Sequence, residues 1–167
     1  MNVMISMVSI RVRRLNQNDK TWLEKIIEVY WASIRVVAKG KIHYVNKLPG
    51  FVAFYDQEKL GLITYRIEEN ECEIITLNAL IENKGVGTAL LRQVENHCIT
   101  EGVKRLWVIT TNDNTDALRF YQKRGFKLKA LYSNVLKKSR KLKPEIPNYG
   151  FYGIKIRDEI ELEKKLK

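Results

Sequence analysis

Along residues 10–15 apolar and polar side chains alternate, and the period of two predicts a strand. Trp22, Ile26, Ile27 and Tyr30 then recur at helical spacing, with Asn18 or Asp19 placed to cap a helix over residues 20–31. Residues 33–49 keep no single period. There β-branched residues mix with Gly40, Pro49 and several bases, so the stretch is expected to be a loop holding a short element. Apolar runs at 51–55 and 60–67 flank the turn 56–59 and predict a hairpin, and Asn70-Glu71 turns the chain into a third strand over 72–80. Val86, Leu90, Val94 and Cys98 stand four apart on a helix over 85–100, which Gly102 stops. The near-continuous apolar run 105–110 reads as a central strand. Asn112 or Asn114 can cap a short helix ending at Gly125, and the alternating residues 126–132 form another strand. Residues 134–143 are a basic, helix-compatible insertion closed by Pro144 and Pro147, and 154–166 alternate at Ile156, Ile160 and Leu162 as a final strand.

Strands in a row, followed by strand-helix-strand-helix-strand, give an α/β fold of the α+β, mixed-sheet kind. The N-terminal strands are largely antiparallel, and β-α-β-α-β follows. The 85–100 helix becomes the crossover between two parallel strands, so the turn before it lies at a strand's carboxyl end, where open sheets bind ligands. At 167 residues the whole chain, 1–167, is expected to be one domain, with the basic insertion at about 133–153 before the last strand.

Composition narrows the classes. A hydrophobic fraction of 45% and a charged fraction of 29% are those of an ordinary globular protein. Cys72 and Cys98 sit among apolar neighbours and are expected to be buried thiols; with only His43 and His97 beside them, no metal is expected. The apolar start of the chain, residues 1–10, lacks a basic flank and a small-residue cleavage site, so it is expected to lead into the first strand rather than act as a signal peptide. No apolar run approaches the roughly 20 residues of a membrane span. No membrane partner is therefore expected, and the cytoplasm is the expected location.

The net charge of +11 is unevenly placed. Residues 117–144 carry ten bases (Arg119, Lys123, Arg124, Lys127, Lys129, Lys137, Lys138, Arg140, Lys141 and Lys143) and no acid. Such a block is a solvated face, or a sink for phosphates, for an acidic substrate or for nucleic acid. The neighbouring Phe120, Tyr121, Phe126 and Tyr132 are spaced like core residues, which argues against a base-stacking platform, so nucleic acid is not expected.

The sharpest chemistry lies in Asn83-Lys84-Gly85-Val86-Gly87-Thr88. Gly85 and Gly87 permit close backbone approach and positive φ. The unpaired amides of the helix that follows then point at an anion, with the helix dipole assisting. Thr88 can add a hydroxyl and Lys84 a mobile charge. A dinucleotide fingerprint would need a third glycine where Leu90 stands, and a Walker loop would need a lysine before Thr88. The run from Glu82 to Leu91 resembles the acetyl-CoA pyrophosphate loop of the GNAT superfamily of N-acetyltransferases, whose pattern is Gln/Arg-x-x-Gly-x-Gly/Ala. Downstream, Asn114, Ala117, Tyr121 and Gly125-Phe126 match that family's Asn-x-x-Ala-x-x-x-Tyr-x-x-x-Gly-Phe. Glu82 departs from the pattern; a carboxylate beside a pyrophosphate is unfavourable, so Glu82 is expected to turn outward, with Lys84 supplying positive charge.

The resemblance implies roles residue by residue. Asn83, Lys84, Gly85, Val86, Gly87 and Thr88 would hold the pyrophosphate. A splayed strand over residues 77–81 would pair with the pantetheine arm, with the amide of Leu77 or Asn78 near the thioester carbonyl and Ala79 beside it. Asn114 and Ala117 would line the cofactor, although Asn114 also suits a helix cap. Tyr121 would face the thiolate as its proton donor, or be a core tyrosine. Glu73 is the candidate general base, on a strand face with Ile75, Leu77 and Ala79, against the alternative of a rim salt bridge. His43 and Tyr132 are weaker candidates. Specificity would come from residues 31–47 and 133–153, whose Trp31, Arg35, Lys39, Lys41, Lys138, Arg140 and Lys141 would favour an acidic acceptor.

The function implied is acetyl transfer from acetyl-CoA to a primary amine by direct attack in a ternary complex, by a monomer or homodimer. A non-catalytic acyl-CoA-binding sensor and a basic nucleic-acid-binding protein are the competing readings.

Overall fold

The computed structural model describes residues 9–167, so the expectation for the first eight residues lies outside it. The elements run β1 (Arg11–Arg14), α1 (Lys20–Trp31), β2 (Arg35–Ala38), β3 (Lys41–Tyr44), β4 (Gly50–Tyr55), β5 (Glu58–Glu68), β6 (Glu71–Ala79), α2 (Val86–Thr100), β7 (Arg105–Thr111), α3 (Thr115–Gln122), β8 (Lys127–Tyr132), α4 (Leu136–Leu142) and β9 (Glu159–Lys165). Seven strands form one sheet in the order β1-β4-β5-β6-β7-β9-β8, and β2 with β3 forms a separate hairpin. Within the sheet only β6 and β7 pair in parallel, and α2 is the crossover between them.

Each face of the sheet has its own core. Leu90, Val94 and Cys98 of α2 pack with Ile63, Ile74, Leu106 and Leu162, and α3 adds Tyr121 to the same cluster. On the opposite face Leu23 and Ile27 of α1 meet Val36, Val45, Leu62 and Ile75. A fully buried Leu or Ile removed from water contributes about 1.5–3 kcal/mol, so these two stripes orient the helices. The stripe on α1 is narrower than its spacing suggests: Leu23 and Ile27 are buried, Trp22 and Ile26 pack beside them, and Tyr30 is 53% exposed.

The start of α1 is tied down by polar contacts. Asn16 caps the turn ahead of α1, and Asp19 in that turn receives Arg13 at 2.7 and 3.0 Å and Lys59 at 2.7 Å, which links α1 to β1 and β5. The guanidinium of Arg13 holds the buried Asp19 carboxyl far below the usual range, against the cost of burial.

Residues 33–49 are more regular than a loop. Lys39-Gly40, both at positive φ, join β2 and β3 in a two-residue turn, the geometry that matches strand twist. The tip is pinned to the sheet: the Lys39 amide donates to Glu159 at 3.0 Å and its ammonium to Glu161 at 3.1 Å. The last strand is shorter than its alternation suggests. It starts at Glu159, because Asn112 Oδ1 takes the amides of Arg157 and Asp158 at 2.9 Å each and the chain bends there.

Candidate active site

The sheet opens between β6 and β7. Their pairing covers only Glu71–Ile74 against Arg105–Val108, and beyond Ile74 the two strands part. A register shift opposite Thr64 and Tyr65 explains the parting: Thr64 pairs with Thr76 and Tyr65 with Ile74, so Ile75 is an extra residue, a β-bulge. The bulge also corrects the expected shared face of Glu73, Ile75, Leu77 and Ala79. Leu77 and Ala79 pack with Ile74 and Cys72 on the α2 side, whereas Ile75 packs against α1 on the other. Glu73 pairs with Arg66 and looks toward the β2–β3 hairpin, and Asn78 bonds to Trp31 at the end of α1. One inserted residue therefore splits the predicted face in two.

At the carboxyl end of β6, Gly85 takes φ 81 as the cap residue of α2. A side chain would be strained in that left-handed conformation. The first internal bond of α2 is donated by Ala89 to Gly85 O at 2.9 Å, which leaves the amides of Val86, Gly87 and Thr88 aimed out of the helix end. Gly87 lies where a Cβ would stand 3.2 Å from the Phe120 ring, so its bareness lets α3 pack against this turn. Glu82, Asn83 and Lys84 are exposed; the Glu82 carboxylate is turned to solvent, as the departure from the family pattern demanded.

Arg124, which in the sequence is one of ten undifferentiated bases over residues 117–144, completes this end. Its Nε and Nη2 donate to Thr88 Oγ1 at 3.0 and 2.6 Å, Nη1 donates to Phe120 O at 2.9 Å, and its Cζ stacks 3.7 Å over the Phe120 ring. No carboxylate pairs with it among the described residues, and burial, then Arg92, lowers its pKa. A guanidinium beside a positive helix end is an arrangement that an anion relieves. The available signal was helical: Arg124 follows Phe120 by four and Tyr121 by three.

Asn114 caps α3, accepting the Ala117 amide on Oδ1 at 3.1 Å, and its Nδ2 has no partner among the described residues. Tyr121, two α3 turns further on, is 5% exposed and edge-on to Phe120 and Phe126. Its ring belongs to the core, yet its hydroxyl bonds to no described residue. The buried side-chain atoms sealed without a partner are His43 Nε2, Asn46 Oδ1 and Asp113 Oδ1, so the Tyr121 hydroxyl keeps some surface. Burial pushes its pKa well up, which keeps it protonated.

Glu73 is 6% exposed, not a rim salt bridge. Burial raises its pKa from 4.5 to about 7, while Arg66, Lys39 and Lys41 pull it down and Glu161 pushes it up. His43, placed by β3, brings Nε2 to 4.0 Å from Glu73 Oε2, beyond hydrogen-bond reach, and burial, then Arg66 and Lys41, lowers its pKa. A cavity of about 390 Å³ beneath the β5–β6 turn reaches Glu73 beside Trp107, at the end of β6 opposite the glycine loop. Tyr132 is not part of this group; it donates to Glu161 at 2.6 Å beneath the hairpin tip.

The basic insertion is partly structural. Arg140 binds the carbonyls of Ile146, Pro147 and Ile156, and buried Lys143 binds those of Trp31 and Arg35. Two of the ten bases are thus consumed by backbone rather than offered to a partner. Arg35 pairs with Glu145 at 2.9 Å and Lys39 with Glu161, so the residues expected to favour an acidic acceptor are in part neutralised. Neither the described histidines and cysteines nor the acids gather into a group that could hold a metal, and no helix of the described residues is long and apolar enough to cross a membrane.

Residues 13–126 match the profile of the Acetyltransferase (GNAT) family. The uncharacterized protein YxbD of Bacillus subtilis (strain 168) is 44% identical over 151 residues, 90% of this chain and 95% of that protein. Among solved structures, an IAA acetyltransferase from Bacillus cereus ATCC 14579 superposes with TM-score 0.70 at 22% identity, over 95% of this chain and all of that one (100%). A GNAT family acetyltransferase from Elizabethkingia anophelis, solved with acetyl-CoA bound, gives TM-score 0.69 at 22% identity, over 95% of this chain and 99% of that one. With a family match that spans the glycine loop, the open strand and Tyr121 alike, the chain belongs to the GNAT acetyltransferase family.

Proposed function

We propose that the chain is an acetyl-CoA-dependent N-acetyltransferase that moves the acetyl group to a primary amine by direct attack within a ternary complex. The observation that carries this reading is the open edge of β6. Past Ile74 it has no partner on the β7 side, with free α2 amides at its carboxyl end and Glu73 just before the bulge. Acetyl-CoA, when bound, supplies the thioester and the thiolate that leaves. The amides of Val86, Gly87 and Thr88, with Arg124, fit a pyrophosphate. Of the two candidate amides, that of Asn78 faces β5, like the Leu80 amide that donates to Leu60 O, and that of Leu77 faces the open edge, where it is suited to hydrogen-bond the thioester oxygen as charge develops there.

Glu73 takes the ammonium proton of the acceptor. Three strand residues lie between it and Leu77, roughly 10–13 Å of backbone at about 3.3 Å per step, so the proton passes along a short chain of waters. The raised pKa of Glu73 suits a base working near neutrality. Tyr121 acts as a hydrogen-bond donor to the departing thiolate. Its pKa lies above the roughly 8.5 of a thiol, so the proton stays mostly with the phenol.

Calorimetry with acetyl-CoA at near-physiological salt, followed by a free-thiol readout across a panel of amines, tests the reading. The expected result is micromolar binding and amine-dependent thiol release. No heat of binding, or binding without release across the panel, would overturn it.

A further inference from the structure

The two faces of open β6 have different neighbours. α2 and α3, with the glycine loop and Tyr121, lie on one face; α1 and the β2–β3 hairpin lie on the other. The cofactor approaches from the first, so the acceptor must approach from the second. Asn78 belongs to this second face and is 8% exposed, and its Oδ1 accepts the Trp31 indole N–H at 3.0 Å.

That bond fixes the amide. Indole nitrogen can only donate, so only the oxygen of Asn78 can face it, and the two N–H donors of Nδ2 must face the other way. Nδ2 has no partner among the described residues and is not among the sealed atoms, so it retains surface. Trp31 is itself held: the Lys143 ammonium binds its carbonyl and that of Arg35, the latter at 2.7 Å, where α1 ends at a left-handed Ala32 (φ 63). Insertion, helix end and indole together set which way one amide points.

We propose that Asn78 is a specificity-determining residue whose Nδ2 donates to an oxygen carried close to the acceptor's amine. The acceptor class is an amine with a carbonyl on the adjacent carbon, as in an amino-acid amide. This rests on the acetyl-transfer reading. Because the Leu77 amide on the open edge and the Asn78 side chain belong to adjacent residues, the acceptor oxygen sits within a few bonds of the attacking nitrogen. A donor-only group there discriminates against amines that lack the oxygen by about one neutral hydrogen bond, roughly five- to tenfold.

The test measures kcat/KM for glycinamide and for n-propylamine in the full chain and in two variants. Asn78→Asp keeps an oxygen for Trp31 and removes the donors; Trp31→Phe keeps a ring and frees the amide to turn. The glycinamide-to-propylamine ratio, compared between proteins, cancels the differing basicity of the amines. It is expected to fall roughly five- to tenfold in Asn78→Asp and partway in Trp31→Phe, with acetyl-CoA affinity by calorimetry unchanged within about twofold. A ratio that stays put in both variants overturns the inference and leaves acetyl transfer standing. Acetyl-CoA binding with no thiol release from either amine, or from the wider panel, removes acetyl transfer and this inference with it.

Discussion

Replacing Glu73 by Gln should make the protein more stable and less active at once, with both effects depending on pH. Burial raises this carboxyl from 4.5 to about 7. An acid whose folded pKa exceeds its unfolded value costs nothing well below the unfolded pKa. The cost grows as pH rises toward the folded pKa and is complete above it. Between pH 5 and pH 8 the wild type therefore loses about 2.5 kcal/mol that the variant does not, at 1.36 kcal/mol per pKa unit. For a domain of this size the variant's advantage in unfolding midpoint should be roughly 5–10 °C larger at pH 8 than at pH 5. Any penalty for burying the new amide is the same at both pH values and drops out of the difference. Thermal unfolding followed by circular dichroism at the two pH values reads it directly. Activity should run the other way, with wild-type kcat/KM rising through about pH 7 and the variant flat and lower by on the order of 100-fold. An unfolding advantage identical at pH 5 and pH 8 would refute the argument, because Glu73 would then be ionised in both conditions or in neither.

Tyr121→Phe removes only the hydroxyl, so kcat should fall roughly 10- to 100-fold as a thiolate contact is lost, while calorimetric affinity for acetyl-CoA holds within about twofold. Arg124→Ala should weaken that affinity roughly 10-fold or more and flatten its dependence on salt. The same variant should leave thermal stability nearly intact without ligand, since the guanidinium crowds a positive helix end. Asp19→Asn leaves Arg13 and Lys59 without their shared carboxylate. At pH 7 it should cost about 3–5 kcal/mol by chemical denaturation. Because the folded pKa of Asp19 is lowered, that stability is present above the unfolded value near 4 and is lost as pH falls further, so the gap to wild type should close in acid.

Much of the fold was legible because its helices and core strands keep their periods. Val86, Leu90, Val94 and Cys98 pack as their four-residue spacing demands, and Gly85 and Asn114 sit at the helix starts they announce. The β2–β3 hairpin escaped because its turn puts Lys39 at φ 47, a conformation with no sequence mark in a lysine. The shared face of Glu73 and Leu77 failed for a different reason. Ile74, Ile75 and Thr76 form an unbroken run in which nothing shows which residue will be left unpaired; only the partner strand reveals it. The spacing of Arg124 from Phe120 marks its helix face, but its bond to Thr88 and the Trp31–Asn78 bond were invisible because each depends on two elements meeting, 36 residues apart in the first case and 47 in the second.

The extra residue at Ile75 has a consequence for how this chain can vary. Side chains on a strand obey parity, and one unpaired residue inverts it for everything that follows. A lineage that loses Ile75 alone would keep Ile74 opposite Tyr65 and Thr76 opposite Thr64 in unbroken alternation, so Leu77 would stay on the α2 side and Asn78 on the other, and only the bulge beside the parting of β6 and β7 would be lost. Chain length in this short stretch therefore bears on whether the sheet opens, not on which side chains face the acceptor.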